Sequence, residues 1–109
     1  MPLQRQRLAV PQSFGALGRA LITLVLADSY PMLLEAMAQI FSAEAGFHVL
    51  ASCRNGEEAL RACANHQPNV LVLDLDVPEN GLTVLRSVAA QPNPPRVILM
   101  AGRLDSHEM

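Results

Sequence analysis

Two runs of aliphatic residues, Leu21 to Leu26 and Val70 to Leu73, each lead almost directly into an aspartate. This pattern constrains the fold more than any other feature of the chain. A continuous apolar run rich in β-branched residues describes a strand buried on both faces, as in a parallel sheet. An acid at its carboxyl end places a charge where such sheets bind ligands. The acids are Asp28 and Asp74.

The rest of the chain fills in the alternation. Pro31 suits the first turn of a helix, where its missing N–H does no harm. Leu33, Leu34, Met37, Ile40 and Phe41 follow at helical spacing, and Gly46 closes the segment. Phe47 to Ser52 is a second, shorter strand. Asn55 to Glu58 reads as a helix start, with Asn55 as the cap and two acids at the positive end of the helix dipole. Ala59, Leu60 and Cys63 are its expected core face, and residues 65–68 stop it. After the third strand, Pro78 to Gly81 is a loop, and Leu82, Leu85, Val88 and Ala89 mark a third helix. The run Gln91 to Pro95 cannot continue that helix. Arg96 to Met100 is a fourth strand. The order β-α-β-α-β-α-β predicts an α/β fold with a parallel sheet and right-handed crossovers.

Residues 1–20 contain Pro, Gly and Gln without a clear period and are expected to form a loose leader. The domain is expected over residues 21–109. Arg5 and Arg7 precede apolar residues, but Pro11, Gln12 and Arg19 interrupt them, so a signal peptide is a poor fit. No apolar run approaches the roughly 18 residues of a membrane span, and the default expectation is a cytoplasmic protein. Half of the 109 residues are hydrophobic and 17% are charged, ample for a core. The net charge of −2 offers no electrostatic footprint for nucleic acid or an anionic membrane. Cys53 and Cys63 are too few for a zinc cluster and read as small buried hydrophobes. His48, His66 and His107 are isolated, and His66 suits a helix end. Met32, Met37 and Met100 read as core or rim packing.

Carboxylates gathered at one sheet edge repel each other and lose solvation, so a cation or basic group must offset the cost. Oxygen donors of this kind suit Mg²⁺, which takes one or two carboxylates and keeps waters. With a metal there, Asp74 has the chemistry to attack a phosphoryl group and form an acyl phosphate. The competing reading is local: an aspartate after a strand also serves as a helix cap or closes an Asx turn.

Several segments together resemble the receiver domain of two-component response regulators. They are LITLVLADSYPMLLEAM, RNGEEAL, NVLVLDLDVPENGLTVLRSV and RVILMAG, in that order. The resemblance covers about residues 21–109, and its character is that of receivers attached to LuxR-type helix-turn-helix output domains. It implies a flavodoxin-like sheet of order 2-1-3-4-5 and Asp74 as phospho-acceptor. It also implies Mg²⁺ held by Asp28, Asp74 and the backbone carbonyl of Asp76. A histidine kinase is the implied phosphodonor, and the implied role is a signalling module rather than an enzyme.

Three departures accompany the resemblance. Receivers usually carry a second acid after the first strand, where this chain has Ser29. They usually end the fourth strand with Thr or Ser, where this chain has Ala101. The family lysine follows a fifth strand, which is expected to be missing here, as is any DNA-binding output domain. An exposed fourth-strand edge invites association, so marginal stability or pairing with another chain, a homodimer included, is expected. Ser29 and Ala101 suggest as one alternative a degenerate pseudo-receiver acting by protein–protein contact. The string Leu-Asp74-Leu-Asp76-Val77 also resembles the opening motif of haloacid-dehalogenase-like phosphatases, with Asp74 as nucleophile and Asp76 as general acid.

Overall fold

A computed structural model describes residues 21–101. The leader expected over residues 1–20 and His107 lie outside the described residues. The elements are β1 (Ile22–Ala27), α1 (Pro31–Ala43), β2 (Phe47–Cys53), α2 (Gly56–His66), β3 (Val70–Asp74), α3 (Gly81–Ala89) and β4 (Arg96–Met100). All seven expected elements are present in the expected order. The four strands form one parallel sheet of order β2-β1-β3-β4. No fifth strand is seen among the described residues.

The alternation of β1 builds two cores, one on each sheet face. Leu24 and Leu26, with Val72 of β3, pack against Leu34 of α1 and the partly buried Met37, Ala38 and Phe41. Val25 and Ala27, with Leu71 and Leu73 of β3, pack against Ala59, Ala62 and Cys63 of α2 and Val84 and Val88 of α3. Helices therefore cover both faces, and the central strands are apolar on both sides as their sequences require.

Each helix begins and ends for a local reason. Pro31 occupies the first turn of α1. The Asn55 side chain accepts the Glu58 N–H at 2.9 Å, and Glu58 accepts the Arg54 N–H at 2.9 Å, a reciprocal cap. Gln67 ends α2 in the left-handed conformation. Gly46 turns the chain into β2 with φ +99°.

The helix faces differ in part from expectation. Leu33 and Ile40 are exposed, because α1 buries the stripe of Leu34, Met37, Ala38 and Phe41 instead. Met32 is 86% exposed and packs in no core. In α3 Leu82 and Ala89 face outward, and Gly81, Val84 and Val88 face the sheet. Gly81 lies against the backbone of Leu75, where a side chain would collide. Cys53 and Cys63 are buried free thiols, and burial pushes each up to about 11, as expected of inert core residues.

Among the described residues β4 is an edge strand, and Ile98 and Leu99 are exposed on it. An apolar edge with unpaired backbone groups is a template for pairing. Ile98→Lys is accordingly expected to reduce concentration-dependent association of the 109-residue chain. Sedimentation velocity over a concentration series checks this, and unchanged association rules out the β4 edge as its cause.

Candidate functional site

Parallel register brings the two aspartates together. Ala27 of β1 stands beside Leu73 of β3, so the next positions, Asp28 and Asp74, are neighbours across strands that run about 4.8 Å apart. The β1–β2 ladder holds Asp28 in place through its N–H, which donates to the Cys53 carbonyl at 3.0 Å. Asp74 is the last residue of β3 and pairs with Met100. Only 1% of Asp28 and 3% of Asp74 is exposed, and they are the buried charged residues of the described chain.

Both carboxylates also close local turns. Asp28 accepts the Tyr30 N–H at 2.8 Å, and Asp74 accepts the Asp76 N–H at 3.0 Å. The turn role and the site role thus coexist: each carboxylate uses one oxygen locally while its side chain lines a common cleft. The cleft measures about 620 Å³ and is lined by Asp28, Tyr30, Leu33, Asp74, Asp76, Met100 and Ala101. Ser29 is absent from that lining.

Burial raises Asp74 above the ordinary carboxylate range, and the charges of Asp28 and Asp76 and a side-chain hydrogen bond with Asp28 raise it further. The Asp76 N–H works against them by stabilising the ionised form. The site therefore has more negative charge than its donors offset.

Among the described residues no three His, Cys, Asp or Glu side chains form a metal-binding group. The expected Mg²⁺ set does not need one, since it uses two carboxylates and the Asp76 backbone carbonyl. The donors fit a hard cation: they are oxygen atoms, two are buried carboxylates, and the surplus charge is of the sign a cation neutralises. Ala101 lies on the cleft wall without a hydroxyl. His48 and His66 lie apart from the site, His66 in the last turn of α2.

Sequence reading gave Met100 as core or rim packing, which it is, but missed the part that Tyr30 and Leu33 take in the cleft. Tyr30 and Leu33 form an apolar rim, and Met100 lies beside Asp74. Position alone signals Tyr30, two residues past an Asx-turn aspartate, and Met100, at the end of the strand beside β3. Leu33 looks like a core residue by spacing, and only the rotation of α1 turns it toward the cleft.

A doubly wound parallel sheet with an acidic cleft at the carboxyl ends of its central strands defines a class of α/β binding domains. Within that class, residues 24–109 match the response regulator receiver domain model, and the chain belongs to that family. It is similar to the protein-glutamate methylesterase/protein-glutamine glutaminase 1 of Oleidesulfovibrio alaskensis, with 34% identity over 85 residues, 77% of this chain and 22% of that protein. It is also similar to a response regulator, DctR, of Priestia megaterium, with 31% identity over 76% of this chain and 37% of that protein. A solved LuxR-family DNA-binding response regulator from Staphylococcus aureus superposes with a TM-score of 0.72 at 29% identity, covering 81% of this chain and 74% of that one. The NarL signal receiver domain from Mycobacterium tuberculosis gives 0.74 at 25% identity, covering 81% and 72%. The chain spans only a minor part of the length of the curated relatives it matches, so the methylesterase chemistry named for some of them belongs to those whole proteins. Among the described residues no helix is long and apolar enough to cross a membrane.

Proposed function

We propose that this receiver accepts a phosphoryl group on Asp74 from a histidine kinase and thereby controls an output partner, such as a transcriptional regulator. The supporting observation is the buried Asp28–Asp74 pair, side by side at the carboxyl ends of β1 and β3 in one cleft. Asp28, Asp74 and the Asp76 carbonyl are the groups that would hold Mg²⁺. Such an ion, when bound, supplies positive charge to the equatorial phosphoryl oxygens and offsets the repulsion between the acids. The free carboxylate oxygen of Asp74 attacks phosphorus in line as the P–N bond to the kinase histidine breaks. The bond's electron pair leaves with the imidazole, and an acyl phosphate remains on Asp74. The Asp76 N–H on the other oxygen holds the carboxylate in one orientation. Tyr30 and Leu33 add apolar wall to the cleft that holds the reacting atoms. Phosphorylation then biases an existing equilibrium between conformations that the output partner distinguishes.

Ala101 on the cleft wall supports a second reading, a pseudo-receiver acting through protein contacts alone. It leaves the phosphoryl oxygens without the hydroxyl that family members place there, and Ser29 supplies no second acid. Membership of the receiver family favours both readings over the phosphatase alternative.

The deciding experiment incubates the protein with acetyl phosphate and Mg²⁺ and reads intact mass. One phosphate adduct is expected on the wild type, lost in Asp74→Asn and retained in Asp76→Asn, whose backbone carbonyl is unchanged. An adduct that survives Asp74→Asn removes Asp74 as acceptor. No adduct at any Mg²⁺ level leaves the pseudo-receiver. Turnover of a phosphomonoester requiring both Asp74 and Asp76 would instead support the phosphatase.

A further inference from the structure

The segment that follows Asp74 is fastened to the rest of the molecule at several points. The Leu75 N–H donates to the Met100 carbonyl at 2.9 Å, and the Gly81 N–H donates to the Leu75 carbonyl at 3.0 Å. Val77 is buried in the core shared by α2 and α3. A further anchor spans 23 positions of sequence: a Glu79 carboxylate oxygen accepts the Gly56 N–H at 2.7 Å. Gly56 is the first residue of α2, so its N–H is one of the donors a helix leaves unpaired, at the positive end of the dipole. The carboxylate sits directly against bare backbone. A Cβ at position 56 would lie 2.9 Å from that same oxygen and would also collide with the Val84 side chain. α2 already has its own cap in Asn55 and Glu58, so the Glu79 contact adds little that the helix needs in order to start. What it does fix is the loop.

We propose that Glu79 is a positioning residue for the acceptor site, clamping the β3–α3 loop to α2 so that the Asp76 backbone keeps its place beside Asp74. Asp76 lies between the Asp74 turn and the Val77 anchor, and its N–H is held on the Asp74 carboxylate. Without Glu79 the loop from Pro78 to Asn80 is held to the domain only by Val77 and by backbone bonds, among them Asn80 N–H to the Val77 carbonyl at 2.8 Å, so the turn loosens as a unit and the Asp76–Val77 peptide shifts with it. The Asp76 carbonyl then samples several directions, and a cation bound through it loses a preorganised donor. The inference rests on the phosphoryl-acceptor reading above and adds a residue that the reading does not use.

The test uses the ¹⁵N-labelled 109-residue chain and follows the Asp76 and Gly56 amide signals during a Mg²⁺ titration. Adduct formation from acetyl phosphate is measured in parallel. In Glu79→Ala the Mg²⁺ concentration at half-saturation is expected to rise roughly tenfold, while the adduct rate at saturating Mg²⁺ stays close to that of wild type. Glu79→Gln keeps an oxygen acceptor for the Gly56 N–H and is expected to restore the half-saturation value. Glu79→Asp keeps the charge but falls one methylene short, and is expected to behave like Glu79→Ala. It carries the test should the alanine variant not fold. A variant that melts earlier yet titrates like wild type makes Glu79 a helix cap and overturns the proposal, as does a glutamine variant as weak as alanine. If Mg²⁺ moves no cleft amide and the wild type takes no phosphate, the acceptor reading itself fails and the clamp falls with it.

Discussion

Gly81→Ala is expected to melt about 10–20 °C below the wild type and to take up phosphate several-fold more slowly. An added Cβ would lie 2.6 Å from the Leu75 Cα, 3.0 Å from the Leu75 carbonyl oxygen and 3.1 Å from the Asp74 carbonyl oxygen. These are backbone atoms, which cannot rotate aside as a side chain does. The helix must back away from the loop, and its buried residues Val84 and Val88 go with it. Forced repacking of this kind costs about 2–3 kcal/mol, which a domain of this size registers as roughly 4–8 °C per kcal/mol. The same displacement moves the Asp74 and Leu75 peptide units, so activity falls along with stability. Gly46→Ala is the control. It meets no atom within 4 Å and is strained only by its φ of +99°, so it should cost about 1–2 kcal/mol without altering phosphate uptake. Thermal denaturation by circular dichroism and intact-mass kinetics check both variants. Equal melting temperatures for the two would show that the Gly81 contact relaxes freely.

The contrast between these two glycines shows what the sequence makes legible. Gly46 follows a helix and precedes a strand, and a left-handed turn there is a local matter. Gly81 follows the Pro78-containing loop, and its spacing looks like a helix start. The close approach to Leu75 depends on how two elements meet, and no periodicity within α3 reveals it. For the same reason Leu82 and Ala89 look like core residues and are not, while Val84 is buried. The strands are far easier to read, because a run apolar on both faces has no face to misassign. The acid at the end of each central run is therefore legible too. Its pairing follows once β1 and β3 are neighbours in register, and that adjacency came from the family resemblance rather than from residue spacing. Glu79 lies at the other extreme. It is one charged residue in a polar loop, and its partner is a backbone N–H in another helix.

Asp74→Asn is expected to stabilise the metal-free domain at neutral pH and to reverse that order when Mg²⁺ is present. Burial and the neighbouring acids raise Asp74, so the folded state binds its proton more tightly than the unfolded chain does. The stabilisation this gives is complete below the unfolded carboxylate value, near pH 3.8. It is lost as pH rises through the elevated folded value. At pH 7, above the unfolded carboxylate value, the wild type bears the cost of burying an acid beside Asp28, and asparagine removes that cost while keeping the shape. The gain is on the order of 1 kcal/mol, or about 4–8 °C, and it shrinks toward zero as pH falls below the unfolded value. Mg²⁺ acts in the opposite sense, because it binds the folded wild type and stabilises it by mass action. At ten times its dissociation constant the gain is about 1.4 kcal/mol, and the asparagine variant, lacking one carboxylate, gains less. Melting curves of both proteins from pH 4 to 8, with and without Mg²⁺, measure each effect separately. A wild type that is the more stable of the two at pH 7 without metal would mean that Asp74 is better solvated or better paired than its 3% exposure and acidic surroundings imply. A difference that ignores Mg²⁺ would mean that the two carboxylates, though adjacent, do not share a cation.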